Sequence, residues 1–121
     1  MAEGLPVREK RIWGEEVDKA VIERAQQGDK TAFDRIVRRY QNDLIAQAMK
    51  YFHGHEAHAK DAVQKTWVRM LLKIDRFSFE GPFSAWLSRV LRNECRMISR
   101  ALAHKSGMGN VHPHVSMDQP D

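Results

Sequence analysis

Apolar residues recur along this chain every three or four positions. In four stretches they do so for long enough to mark one face of a helix. Over residues 15–27, Val17, Ala20, Val21 and Ala25 share a face, and Gly28 is placed as a stop. Over 31–53, Phe33, Ile36, Val37, Tyr40, Leu44, Ala48 and Phe52 form one stripe. Thr31 and Asp34 have capping-box spacing there, and Gly54 ends the stretch. Over 57–75 the inner side is Ala59, Ala62, Val63, Thr66, Trp67, Met70 and Ile74. Over 83–103 it is Phe83, Trp86, Leu87, Val90, Leu91, Ile98 and Leu102. No stretch alternates with period two over a useful length. The pattern predicts an all-α protein, a compact bundle of four helices whose short loops favour antiparallel neighbours.

The ends break the pattern. Residues 1–14 contain Gly4, Pro6 and Gly14 without a period, which predicts a loose N-terminal arm with Trp13 pinning its end. Residues 104–121 hold two Gly and two Pro among few large apolar side chains, which predicts a linker or tail. The bundle is expected over 15–103.

Charge sharpens the picture. The chain of 121 residues carries a formal net charge of +4. Residues 1–29 hold five Lys/Arg against seven Asp/Glu, and 30–83 hold ten against six. Residues 84–105 hold five against one, and 106–121 none against two. The positive excess sits in the middle and in the last helix, which points to a polyanionic partner. Successive helical residues turn by about 100°, so Arg92, Arg96 and Arg100 all fall within roughly 60° of Arg89. They form one outward row facing away from the apolar stripe. Glu94 is the only acid on that helix, and it lies toward the apolar side. Without acidic partners at i,i+4 the arginines repel one another, whereas a phosphate backbone matches their reach and charge. The alternative is a solvated helix face.

The loop before that helix, "DRFSFEGPF", places Phe77, Phe79 and Phe83 within seven residues, with Gly81 and Pro82 shaping the turn. One or two of these rings are expected beneath the loop. Aromatic faces beside a row of cations are also what single-stranded nucleic acid needs, because bases stack while cations hold the backbone. On the third helix, Asp61, Gln64, Lys65, Val68 and Leu72 cluster outward. Aliphatic side chains among polar ones on an outer face suggest a protein partner; a covering helix or the N-terminal arm is the equal alternative.

Other chemistry finds little support. Cys95 is the single cysteine, so an intrachain disulfide and a four-cysteine zinc site are excluded. It reads as a small core residue. His53, His55 and His58 surround Glu56, but the spacing misses H-E-x-x-H by one residue. His112 and His114 flank Pro113 in the tail and read as solvated. There is no glycine-rich phosphate loop and no catalytic constellation, so no cofactor, no metal and no enzymatic activity are expected. No apolar run has the length of a signal peptide or a membrane span, which predicts a soluble, cytoplasmic protein without membrane insertion.

Three blocks in order, "TAFDRIVRRYQNDLIAQAMKYF", "DAVQKTWVRMLLKIDRF" and "FSAWLSRVLRNECRMISR", resemble region 2 of bacterial RNA polymerase sigma factors of the extracytoplasmic-function (ECF) group. The resemblance covers about residues 15–103. It implies a transcription initiation factor. The helix at 57–75 would dock on the coiled coil of the largest catalytic subunit of core RNA polymerase through Asp61, Gln64, Lys65, Val68 and Leu72. The loop and the start of the next helix would engage the promoter −10 element and hold its non-template strand as it opens. That role implies Arg76, Phe77, Phe79, Phe83, Trp86, Arg89, Arg92, Asn93, Arg96 and Arg100 as DNA-binding residues. It implies an anti-sigma factor as a further partner. Three positions depart from the family pattern. Lys65 stands where an acid is usual, Met97 stands where many members have Asp, and Glu94 needs a partner on the inner side. Family members carry a second, −35-binding domain for which residues 104–121 leave no room, so this stretch reads as the start of an interdomain linker in a fragment of a longer factor.

Overall fold

The computed structural model describes residues 16–105. The expected arm, Trp13 and the tail beyond Lys105 lie outside the described residues. Four α-helices follow one another: α1 Lys19–Gln26, α2 Lys30–Tyr51, α3 Glu56–Lys73 and α4 Phe83–Lys105. A single 3-10 turn, Ile74–Arg76, ends α3, and the described residues contain no strand. The all-α bundle of four helices expected from the apolar period is the observed architecture. Helix α3 packs between α2 and α4, and α1 lies against α2 and the 3-10 turn.

Each boundary has a local cause. Gly28 takes a left-handed φ of 96° after α1. The Gly28 N–H then donates to the Ala25 carbonyl and the Asp29 N–H to that of Arg24, both at 3.0 Å. This paired closure satisfies carbonyls the helix would leave open. The start of α2 differs from the expected Thr31–Asp34 box. Asp29 is the N-cap, and its carboxylate accepts from the N–H of Thr31 at 2.9 Å and of Ala32 at 3.4 Å. At the end of α2 it is His53, at φ 53°, that occupies the first left-handed position, and Gly54 follows at φ 87°. The Gly54 N–H donates to the Met49 carbonyl at 2.9 Å.

The core is one cluster fed by all four helices. Every residue of the α3 stripe is buried, as are Ile36, Tyr40, Leu44, Ala48 and Phe52 from α2, and Phe83, Leu87 and Leu91 from α4. The face of α1 is rotated from the expected one: Val21, Ile22 and Ala25 are buried while Ala20 is exposed. Polar ties fix the register between helices. The Trp67 indole donates to Gln41 at 2.6 Å, and the Ser88 hydroxyl donates to Gln47 at 3.1 Å. Cys95 is 1% exposed. Burial, and then the nearby charge of Glu94, push its thiol up to about 11. A protonated, enclosed thiol is a poor nucleophile, in keeping with a core role.

Glu94 has found its partner in α3. The Arg69 Nε lies 2.9 Å from its Oε2, with the glutamate side chain 6% exposed and the arginine 40%. The two ends of this bridge are unequal. Arg69→Met strands a buried carboxylate, and breaking a fully buried pair costs about 3–5 kcal/mol. Because the arginine is already 40% exposed to water, a loss of about 2–3 kcal/mol is expected here. Glu94→Leu releases Arg69 to solvent and is expected to change stability by less than about 1 kcal/mol. Urea midpoints of the two variants test this asymmetry; equal losses would contradict it.

Candidate functional site

The two candidate faces lie on the helices that the loop after the 3-10 turn joins, α3 and α4. Asp61, Gln64 and Lys65 are exposed on α3. Beside them Val68 is 58% exposed and Leu72 65%. Leu71, which the sequence reasoning passed over, is 62% exposed. It lies about 20° from Gln64 around the helix axis, so it widens the apolar patch. Of the two alternatives for this face, no described residue covers it. Asp61 is not a free charge. The Lys65 Nζ sits 3.8 Å from its Oδ1 with both side chains about half exposed. A pair of this kind is worth only about 0.3–0.5 kcal/mol, so it constrains either partner little.

On α4, Arg89, Arg92 and Arg96 are exposed and Arg100 is half-buried, so the outward row exists as spaced. Asn93 is half-buried beside it. Its side-chain oxygen accepts from the Arg96 guanidinium at 2.8 Å. That bond orients one arginine without neutralising it. Arg76, at the end of the 3-10 turn, is exposed.

The loop aromatics divide into two kinds. Phe77 is 8% exposed and Phe83 2%, and their rings meet edge to face at 5.2 Å between centroids. Phe83 also leans on the Tyr40 ring at 5.8 Å. Neither offers a face on which a base could stack in this conformation, so two of the three loop rings lie beneath the loop, within the one or two expected there. They form the floor of the loop. Phe79 and Trp86 are half-buried and lie on that floor, at 4.9 Å and 5.7 Å from the Phe77 ring. Phe79 takes a left-handed φ of 65°, a conformation a bulky side chain seldom adopts. Strain held at such a position is characteristic of sites where a side chain must be aimed.

Residues before α2 also reach the loop, and no local pattern marks them. The Gln26 side-chain amide donates to the carbonyls of Ile74 and Phe77 at 2.9 and 3.0 Å. The Glu16 carboxylate accepts from the Ser84 N–H at 3.0 Å and the Ser84 hydroxyl at 2.6 Å, satisfying an open donor at the start of α4. The Tyr40 hydroxyl also donates to Glu16, at 3.2 Å. The Lys19 ammonium lies over the Phe79 ring, 5.0 Å from its centroid. Among the described residues no group of three or more His, Cys, Asp or Glu side chains could hold a metal ion, and no helix is long and apolar enough to cross a membrane.

Comparison with known proteins bears on this geometry. The sequence model of the family described as Sigma-70 region 2 matches residues 36–104. The ECF RNA polymerase sigma-E factor of Haemophilus influenzae is 35% identical over 79 residues, covering 65% of this chain and 41% of that protein. The RNA polymerase sigma factor NccH of Alcaligenes xylosoxydans xylosoxydans is 37% identical over 84 residues, 69% of this chain and 45% of the other. The ECF RNA polymerase sigma factor BldN of Streptomyces coelicolor is 36% identical over 74 residues, 60% of this chain and 28% of the other. The chain thus spans less than half the length of these curated relatives. No solved structure matches it significantly. With the family model running from the first third of α2 almost to the end of α4, and with ECF factors recurring among the relatives, the chain belongs to the sigma-70 family, as a region 2 domain of the ECF group.

Proposed function

We propose that this domain docks on core RNA polymerase through α3 and uses the α3–α4 loop and α4 to recognise and help melt the promoter −10 element, holding the non-template strand. The observation that carries this reading is the exposed arginine row of α4 beside a loop with two half-open aromatic rings on a buried aromatic floor. Extracting a base from a duplex costs a few kcal/mol. Stacking on an aromatic face returns about 1–3 kcal/mol per base, and the arginines hold the phosphates of the separated strand. Phe79 and Trp86 are the stacking faces of this reading. Phe77 and Phe83 shape the pocket, and Arg76, Arg89, Arg92, Asn93, Arg96 and Arg100 contact the strand. Nothing in the scheme calls for catalysis by the domain itself.

The α3 face supplies the other half. Val68, Leu71 and Leu72 form an apolar patch for the coiled coil of the largest catalytic subunit, flanked by Asp61, Gln64 and Lys65. A patch of this kind needs a cover when polymerase is absent, which is the physical case for an anti-sigma factor. The setting of this reading is the cytoplasm, where polymerase and promoter meet, and the tail beyond Lys105 serves as a linker toward a −35-binding domain.

Salt dependence tests the strand-holding half. Four arginines along one strand predict a slope of about −3 in a log–log plot of affinity against salt for single-stranded DNA. A library of random single strands is expected to yield an enriched sequence with that slope. Binding that ignores salt would contradict the role of the row.

A further inference from the structure

We propose that α1, which lies wholly outside the residues matched by the family model, is a strut that sets the shape of the strand-capturing loop, with Gln26, Lys19 and the preceding Glu16 as positioning residues. The proposal rests on the reading of the loop as the −10 site.

Among the described residues, no backbone–backbone hydrogen bond ties residues 78–81 to one another or to the bundle. Phe79 nevertheless holds a left-handed backbone. Something outside the loop must therefore fix its path. Helix α1 and Glu16 before it meet the loop at three places in reverse chain order. Gln26, the last residue of the helix, grips the loop where it leaves the 3-10 turn, through the carbonyls of Ile74 and Phe77. Lys19, the first residue, sits on the Phe79 ring. Glu16 holds the far end at Ser84, where α4 begins. Lys19 and Gln26 are seven residues apart, about 10 Å of helix, so α1 runs alongside the loop and touches its start and its middle. The Gln26 contact is the most telling. The Ile74 carbonyl already accepts from the Phe77 N–H at 3.1 Å, closing the 3-10 turn. The Phe77 carbonyl accepts from the same Gln26 side-chain nitrogen, at 3.0 Å. One planar amide thus fixes the direction in which the loop departs.

A strut predicts a split that packing alone does not. The arginine row lies on α4 and makes no contact with Gln26, so phosphate holding survives loss of the amide. Base selection depends on the aim of Phe79 and on the loop's path, so it does not survive. Gln26→Met keeps length and helix propensity and removes both donors. Hydrogen exchange of the Phe77 amide is expected to speed up at least about tenfold in this variant, with amides in the middle of α2 and α3 unchanged. The affinity ratio between the single strand enriched by the wild type and a scrambled strand of the same composition is expected to fall at least about fivefold, with the salt slope unchanged. Unchanged Phe77 exchange with the ratio intact would overturn the strut. Equal weakening of both strands, with the ratio intact, would overturn it too, because that is the signature of general loosening. A wild type that enriches no strand would instead overturn the strand-capture reading, and with it the purpose assigned to α1, while the exchange measurement would still show whether Gln26 frames the loop.

Discussion

Arg92→Glu is expected to weaken binding of single-stranded DNA by roughly 10- to 100-fold at low salt, the range set by loss of a charged hydrogen bond. The side chain is exposed near the centre of the arginine row, one turn from Arg89 and from Arg96. Reversal removes one phosphate partner and repels the next phosphate along. The loss should fall almost evenly on all sequences, because a phosphate contact carries no base information. The salt slope should shrink by about one unit or slightly more. Stability should move by less than about 0.5 kcal/mol, as for other exposed positions. Docking on polymerase should be untouched. Equal loss of polymerase docking would mean that α4 holds the whole domain in shape rather than holding a strand.

Leu72→Asp is expected to do the reverse. With 65% of the residue exposed, no core contact is lost and helical circular dichroism stays as in the wild type. Within the proposed interface the substitution deletes an apolar anchor and buries a charge. Central anchors of protein interfaces cost about 2 kcal/mol or more when truncated, which is about 30-fold in affinity. The added aspartate deepens the loss, because an unpaired charge resists desolvation. DNA binding by the isolated domain should not change. Leu71 belongs to the same patch, so Leu71→Asp should show a loss of the same sign; a neutral result there would confine the interface to the Val68–Leu72 side.

The bundle was legible because the apolar period in α2, α3 and α4 is long and carried by large side chains. Thr66 shows how well it worked: a polar residue on the α3 stripe is fully buried and returns its hydroxyl to the Ala62 carbonyl at 2.8 Å. Helix α1 was read less well. It is one short helix of eight residues, and two of the four residues assigned to its face are alanines, which mark a face weakly. Ile22 was the better guide. The cap of α2 was misread by two residues, since Asp29 and Thr31 are both competent caps and the choice depends on where the preceding turn closes.

The candidate site was half legible. The arginine row follows from the helical repeat alone. The loop aromatics did not sort themselves, because a Phe in a turn reads the same whether it is the floor or the platform. Phe77 and Phe83 were distinguished from Phe79 and Trp86 by packing against one another and against Tyr40, a contact across 43 residues of chain. The grips of Gln26 and Glu16 on the loop were invisible for the same reason. Their partners lie 48 to 68 residues away, and a glutamine at the end of a helix carries no local sign of what it will hold. Glu94 was flagged as needing a partner, but only the packing of α4 on α3 supplied Arg69.

The central claim is that α3 is a docking face for polymerase. Its most direct test is a titration of this domain against the isolated coiled-coil fragment of the largest polymerase subunit, followed by calorimetry. The account predicts saturable one-to-one binding with a negative heat-capacity change, as expected when the Val68, Leu71 and Leu72 side chains leave water. A folded domain that binds no fragment at any accessible concentration would contradict it.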